Sequence, residues 1–312
     1  MAFNKIVVVG GGVLGSQIAF QIAYCGFEVC ILLRSDDSIK RCQQKIDGLR
    51  NVYLTNLENM ENKTEPYYNG LTKEKELTHE QFTELKEKVE NAYKELKLTT
   101  SFEESLQGAD LVIESIPEVP QQKKALFQKL TQYLEPHTIV TTNSSQLVPS
   151  LFAEDTGRPE KFLALHFANG IWRNNIAEVM GHPGTDKKYY DIVVQFAEQI
   201  NMCPIKVLKE QRGYILNSLL TPLLDAAKNL WAADVADPET IDKAWKLGTS
   251  APVGPFTILD MIGLNTLYNV KMMSPNAKNP EHIDYKVAQK FKEMIDQGKL
   301  GVVSGEGFYK YK

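Results

Sequence analysis

Short apolar runs without polar alternation recur through the first half of the chain: IVVVG (Ile6 to Gly10), VCILL (Val29 to Leu33), LVIES (Leu111 to Ser115) and TIVTT (Thr138 to Thr142). Between them lie stretches of helical periodicity, such as QIAFQIAYC and VPQQKKALFQKLTQYL. Unbroken apolar runs mark parallel strands covered on both faces, and strand–helix–strand units with right-handed crossovers wind into a single sheet. The first half therefore predicts a doubly wound α/β fold. Between the second and third runs the pattern changes to a long, charged insert. There Thr78 and Gln81 stand in capping-box spacing ahead of HEQFTELKEKVENAYKEL, which predicts a helical arm at about 38–97. Two further strands, FLALH and IAEVM, precede a helix, DIVVQFAEQI, and a last strand, PIKVL. From Gly213 onward the periodicity is helical throughout, in YILNSLLTPLLDAAKNLW, PETIDKAWKLG and YKVAQKFKEMIDQGK. The boundary is expected near Lys209 to Gly213, giving an α/β domain at 1–209 and an all-helical domain at 210–312.

Composition narrows the functional classes. The 312 residues are 43% hydrophobic and 24% charged with a net charge of −4, so no overall basic field exists to hold nucleic acid or an anionic membrane. Cys25, Cys30, Cys42 and Cys203 form no CxxC pair and have no histidine cluster nearby, which fits reduced thiols in the cytoplasm and no metal site. No apolar run approaches the roughly 18 residues of a membrane span, and the first residues lack the pattern of a signal peptide.

Directly after the first strand, VVVGGGVLGSQIA carries Gly10, Gly12 and Gly15 in G-x-G-x-x-G register and opens an apolar helix. In that context Gly10 permits a tight turn, Gly12 lets backbone approach a pyrophosphate, and Gly15 lets helix and strand pack closely. A dinucleotide is expected against Gly10, Gly12, Val13, Leu14 and Gly15. Roughly 20 residues further on, an acid would accept hydrogen bonds from the ribose hydroxyls. Leu33 and Arg34 occupy that turn. Leucine accepts nothing, whereas the Arg34 guanidinium beside Ser35 can pair with a 2′-phosphate, so the cofactor is read as NAD(P)H leaning to NADPH. The competing reading leaves Arg34 over the adenine or in solvent and puts Asp36 or Asp37 on the ribose.

His166 ends a strand at the edge where ligands sit in open α/β sheets, and histidine suits proton transfer in both directions near neutral pH.

Several separated motifs, TNSSQL, LHFAN followed by AEVM, RGYILNSLL, KLGTSAPVGPFTILDMIGL and GEGFYKYK, make the whole chain resemble the 3-hydroxyacyl-CoA dehydrogenase family. The variants GVLGSQIAFQ, HFAN and EVMG look closer to its diketoreductase-like and lambda-crystallin-like subgroup. The resemblance implies an oxidoreductase of 3-hydroxyacyl-CoA with a His166/Glu178 acid–base pair. It also implies Ser145 and Asn217 on the substrate oxygen, Asn169 near the nicotinamide, and an active site closed between the two domains. Glu118 and Lys123 match positions that touch the cofactor; taken alone, they are the exposed start of a helix. Gly170, Trp172, Arg173, Asn175 and Val303 depart from the family pattern, which opens a second reading, reduction of CoA-free 3-keto or diketo acids and esters. Lys63, Lys73 and Lys75 in the arm could meet coenzyme A phosphates. A third reading is a crystallin-like or nucleotide-sensing protein without turnover. The apolar faces of YILNSLLTPLLDAAKNLW and TILDMIGLNTLYNV, like the resemblance, point to a homodimer.

Overall fold

The computed structural model describes residues 3–311. Eight strands form one sheet: β1 (Lys5–Val9), β2 (Glu28–Leu32), β3 (Lys97–Thr99), β4 (Leu111–Glu114), β5 (Ile139–Thr142), β6 (Phe162–Phe167), β7 (Ile176–Met180) and β8 (Cys203–Val207). Their spatial order is β3-β2-β1-β4-β5-β6-β7-β8, parallel throughout except for the antiparallel pair β6–β7. The order reverses between β1 and β4, which opens a crevice at the carboxyl edge of the sheet.

The unbroken apolar runs are explained by burial on both faces. In β1, Ile6 and Val8 pack into the core beneath α1 (Val13–Tyr24), while Val7 and Val9 pack into a second core with Phe127 of α5 (Pro120–Leu130). The remaining helices of this part are α2 (Asp36–Glu61), α3 (His79–Glu95), α4 (Phe102–Leu106) and α6 (Lys187–Gln199). The three-residue edge strand β3 and the short α4 carry too few residues for a pattern, and the sequence reading did not include them.

The arm is the α2–α3 pair. Thr78 caps α3 with the reciprocal Gln81 bond that the spacing predicted. The arm is also bolted to α1 and to the end of the helix Lys187–Gln199. The Tyr53 hydroxyl donates to Gln21 Oε1 at 2.6 Å, and Gln21 Nε2 donates to the Gly70 and Ile200 carbonyls at 2.8 and 3.0 Å. Tyr53 and Gln21 are fully buried, so the solvated face of the arm, with its Arg50–Glu90 pair, is only half of it.

The chain divides into two compact units, Met1–Ile215 and Leu216–Lys312. The second is helical: α7 (Leu216–Ala232), α8 (Pro238–Thr249), α9 (Pro255–Ile262), α10 (Leu264–Met272) and α11 (Ile283–Asp296), around a core that includes Phe256, Leu259 and Phe291. TILDMIGLNTLYNV is two helices rather than one, because Gly263 takes φ +90° and turns the chain between α9 and α10. Two buried aspartates organise this unit. Asp242 accepts the Phe256 and Thr257 N–H groups at the start of α9, and Asp260 accepts the Phe308 and Tyr309 N–H groups and the Tyr311 hydroxyl at 2.9, 3.0 and 2.8 Å. No helix among the described residues is long and apolar enough to cross a membrane.

Candidate active site

The turn after β1 forms one wall of a cleft of about 790 Å3 in the first unit, lined by the glycine loop, Leu33, Arg34 and Ile116 among others. The space for a ligand exists because side chains are missing. A Cβ on Gly15 would stand 2.1 Å from the Gly10 carbonyl oxygen, and Gly10 itself takes φ +109° against the Ser115 backbone. A Cβ on Gly12, by contrast, would meet nothing within 4 Å, so the face of the loop that a pyrophosphate needs is open. Gly12 is the N-cap of α1 and supplies no side-chain cap, which leaves the first N–H groups of the helix, at Val13, Leu14 and Gly15, for an anionic ligand. These features fit a dinucleotide.

At the far end of the cleft Leu33 is buried and Arg34 is exposed, while Ser35 caps α2 by accepting the Ser38 N–H. Arg41 and Lys45 line the same cleft, and the sequence reading missed them. Arg34, Ser38, Arg41 and Lys45 recur at three- and four-residue steps, and that helical spacing was the available signal.

Antiparallel pairing of β6 with β7 puts His166 and Glu178 directly opposite each other on one face of the sheet. Nδ1 of His166 lies 3.0 Å from Glu178 Oε2, and its Nε2 lies 3.0 Å from Ser145 Oγ. A carboxylate can only accept, so Nδ1 carries a proton and the neutral ring offers Nε2 to the serine hydroxyl. The histidine is 4% exposed and the glutamate 1%, which keeps water from competing for the contact between them. Ser145 stands past the end of β5 in a turn fixed by Glu118, whose carboxylate accepts the Ser145 N–H at 2.5 Å and the Ser144 hydroxyl at 2.7 Å. Asn169 is exposed in the turn after β6. Asn217 is the second residue of α7 and belongs to the second unit.

Lys123 is not at an exposed helix start. It is fully buried, and its ammonium donates to Glu114 Oε1 at 2.5 Å and to the Ile116 carbonyl at 3.2 Å, with Glu118 Oε2 at 4.0 Å. Glu114 also accepts the Thr142 hydroxyl at 2.6 Å. Burial pushes the Glu114 carboxyl above the usual range, and Lys123 pulls it back. An LFQKL-type helix with two adjacent lysines reads as solvated from spacing alone; the buried partner on β4 cannot be read locally.

All the departing residues but Val303 sit in the loop joining β6 and β7. Trp172 stacks at a tilt on Tyr53 of the arm with centroids 5.6 Å apart. Arg173 donates to Asn56 Oδ1 at 2.8 Å and lies over the Tyr68 ring. Asn175 donates to the Asn201 carbonyl, and Val303 is exposed in the second unit. The loop carrying His166 toward Glu178 is thus fastened to the arm.

With this geometry established, comparison with known proteins is decisive at family level. Residues 5–211 match the family described as 3-hydroxyacyl-CoA dehydrogenase, NAD binding domain, and residues 213–311 match its C-terminal domain. The chain is 31% identical over 313 residues to the mitochondrial hydroxyacyl-coenzyme A dehydrogenase of Rattus norvegicus, covering 99% of this chain and 91% of the rat protein. It is 31% identical to the 3-hydroxybutyryl-CoA dehydrogenase of Clostridioides difficile, covering 98% and 99%. Among solved structures it is similar to a diketoreductase (42% identity, TM-score 0.85, all of both chains). It is also similar to the (S)-3-hydroxybutyryl-CoA dehydrogenase of Ralstonia eutropha (25%, TM-score 0.73, all of both chains). The chain is therefore an oxidoreductase with a nicotinamide-cofactor domain, and it belongs to the 3-hydroxyacyl-CoA dehydrogenase family.

Proposed function

We propose that the protein interconverts 3-hydroxyacyl-CoA and 3-ketoacyl-CoA, with His166 as the general acid–base. The observation that carries this reading is the file Glu178–His166–Ser145, with both contacts at 3.0 Å, on the carboxyl edge of the sheet that also bears the glycine loop. A nicotinamide held against the glycine loop would supply the hydride acceptor or donor. His166 Nε2 takes the hydroxyl proton in oxidation and returns it in reduction, while Glu178 holds Nδ1–H and stabilises the imidazolium that forms. The Ser145 hydroxyl donates to the substrate oxygen as negative charge builds there, and Asn169, exposed in the turn after β6, would be the residue to brace a bound nicotinamide. The cofactor is NADPH in preference to NADH: Leu33 offers no ribose acceptor, and Arg34, Arg41 and Lys45 line the cleft.

The 42% identity to a diketoreductase supports a second substrate class, CoA-free 3-keto or diketo acids and esters. Oxidation of NADH and NADPH is to be measured with acetoacetyl-CoA and with a CoA-free 3-keto ester. Faster turnover of the thioester upholds the first reading, and faster turnover of the free ester upholds the second. Turnover of neither would point to a protein that binds without catalysis.

The chain is further proposed to act as a homodimer through its helical unit, where Leu219, Leu247, Met261, Val270 and Met273 are each more than half exposed. Light scattering at micromolar concentration should give twice 35.2 kDa; the single-chain mass refutes the dimer.

A further inference from the structure

Hydrogen bonds at Nδ1 and Nε2 lie in the plane of an imidazole, so together they fix a line through the ring and leave rotation about that line weakly controlled. When a substrate oxygen replaces Ser145 at Nε2, the ring needs another restraint to keep its lone pair aimed. Tyr214 supplies a surface for it. Its ring stacks on His166 with centroids 4.5 Å apart and planes 8° from parallel, and its hydroxyl donates to the Ser144 carbonyl at 2.7 Å. The next residue, Ile215, donates its N–H to Glu178 Oε1 at 2.9 Å. One two-residue segment therefore touches the imidazole, its carboxylate and the serine turn. The backbone accepts an unusual conformation to do so: Tyr214 takes φ +53°, a left-handed value that is uncommon for a bulky residue, directly after Gly213 at φ +75°.

We propose that Tyr214 is a positioning residue for the acid–base histidine, holding the imidazole plane from one face so that Nε2 stays aimed when the reacting oxygen arrives. The proposal rests on the assignment of His166 as the acid–base. Tyr214 itself does not exchange protons: it is 1% exposed, and burial, with the nearby carboxylates of Glu118, Glu178, Glu114 and Glu210, pushes its phenol far above the ordinary value. Those four acids, together with Lys123 beside Glu114 and Glu118, are among the ionisable groups around the stacked pair.

Tyr214→Leu removes the ring, and Tyr214→Phe keeps the ring while removing the Ser144 tie. Expected for the leucine variant is a kcat lowered about 10- to 100-fold, as for misplacement of a reacting group. Its affinity for the reduced cofactor, read by fluorescence, should stay within about twofold of wild type, because neither Tyr214 nor His166 lines the cleft walled by the glycine loop. The phenylalanine variant should recover most of the rate. A leucine variant with wild-type kcat overturns the proposal, as does a phenylalanine variant equally impaired. His166→Gln in the same assays separates the two levels: full turnover there sinks the assignment of the histidine, whereas its loss beside an unaffected Tyr214→Leu sinks only the role of Tyr214. If the leucine variant does not fold, the wild-type NMR signal of the His166 ring, identified by its absence in His166→Gln, serves instead. A ring-current shift upfield of the other four histidines supports the stack, and a signal among them refutes it.

Discussion

The glycine loop after β1 and the β6–β7 hairpin share the carboxyl edge of one sheet, yet they are built on opposite terms. At the loop, recognition depends on side chains that are absent: Gly12 faces open space, and a Cβ on Gly15 would collide with the Gly10 carbonyl. At the hairpin it depends on two side chains present in register, His166 opposite Glu178 on antiparallel strands. A parallel neighbour would also have supplied a carboxylate, but from the same end of the sheet. Reversal of β7 brings Glu178 from mid-strand to the buried nitrogen and leaves Nε2 for Ser145. One region tolerates few additions and the other few deletions, and variants should separate them.

The largest effect is expected at the hairpin. His166→Gln should lower kcat by about 10²- to 10⁴-fold with cofactor affinity unchanged, and near-normal turnover would dissolve the contrast. Next comes the buried pair between the two regions. Lys123→Met leaves Glu114 without its cation and should cost about 3 to 5 kcal/mol of stability by denaturant titration. The sign with pH follows from burial: a carboxyl raised above its unfolded value is destabilising once pH exceeds the ordinary carboxylate range. The deficit of the variant should thus grow from acid toward neutral pH and shrink again on acidification. A deficit that is constant with pH refutes the account.

At the cofactor end, Leu33→Asp with Arg34→Gln should reverse a preference for NADPH worth about 1.5 to 3 kcal/mol, or roughly 10- to 150-fold in kcat/KM. Wild-type preference for NADH would return the ribose to Asp36 or Asp37. Gly15→Ala, whose Cβ would stand 2.1 Å from the Gly10 carbonyl oxygen, should raise cofactor KM while kcat at saturation holds. A fall in kcat instead would mean that the loop and the hairpin are not separable.

The two regions also differ in how far the sequence exposes them. The glycine loop is read directly, since strand, turn and helix follow one another within a few residues and each glycine has a local reason. The capping box at Thr78 is equally local. His166 and Glu178 lie close enough in sequence for a returning strand to be expected, and their pairing is a matter of register. Tyr214 stacks on a ring far back in the chain, and Lys123 finds Glu114 only because α5 folds over β4. Neither relation leaves a periodic trace. β3 is silent for a different reason: one exposed and two half-buried edge residues have no second buried face to write an apolar run.

Asp260 bears on how the chain is made. It is 1% exposed, and the donors that satisfy it belong to residues 308–311, so the carboxylate is synthesised well before the groups that make its burial tolerable. Until Tyr311 has left the ribosome, the helical unit holds an acid with nothing to accept from and cannot close around it. The first unit, ending at Ile215, already has all its residues. Synthesis therefore imposes an order, with the nucleotide-binding unit able to fold first and the helical unit last. Chains arrested at Glu306 should accordingly yield a protease-resistant first unit and a digested second one; equal resistance of both would show that the helical unit closes without its latch.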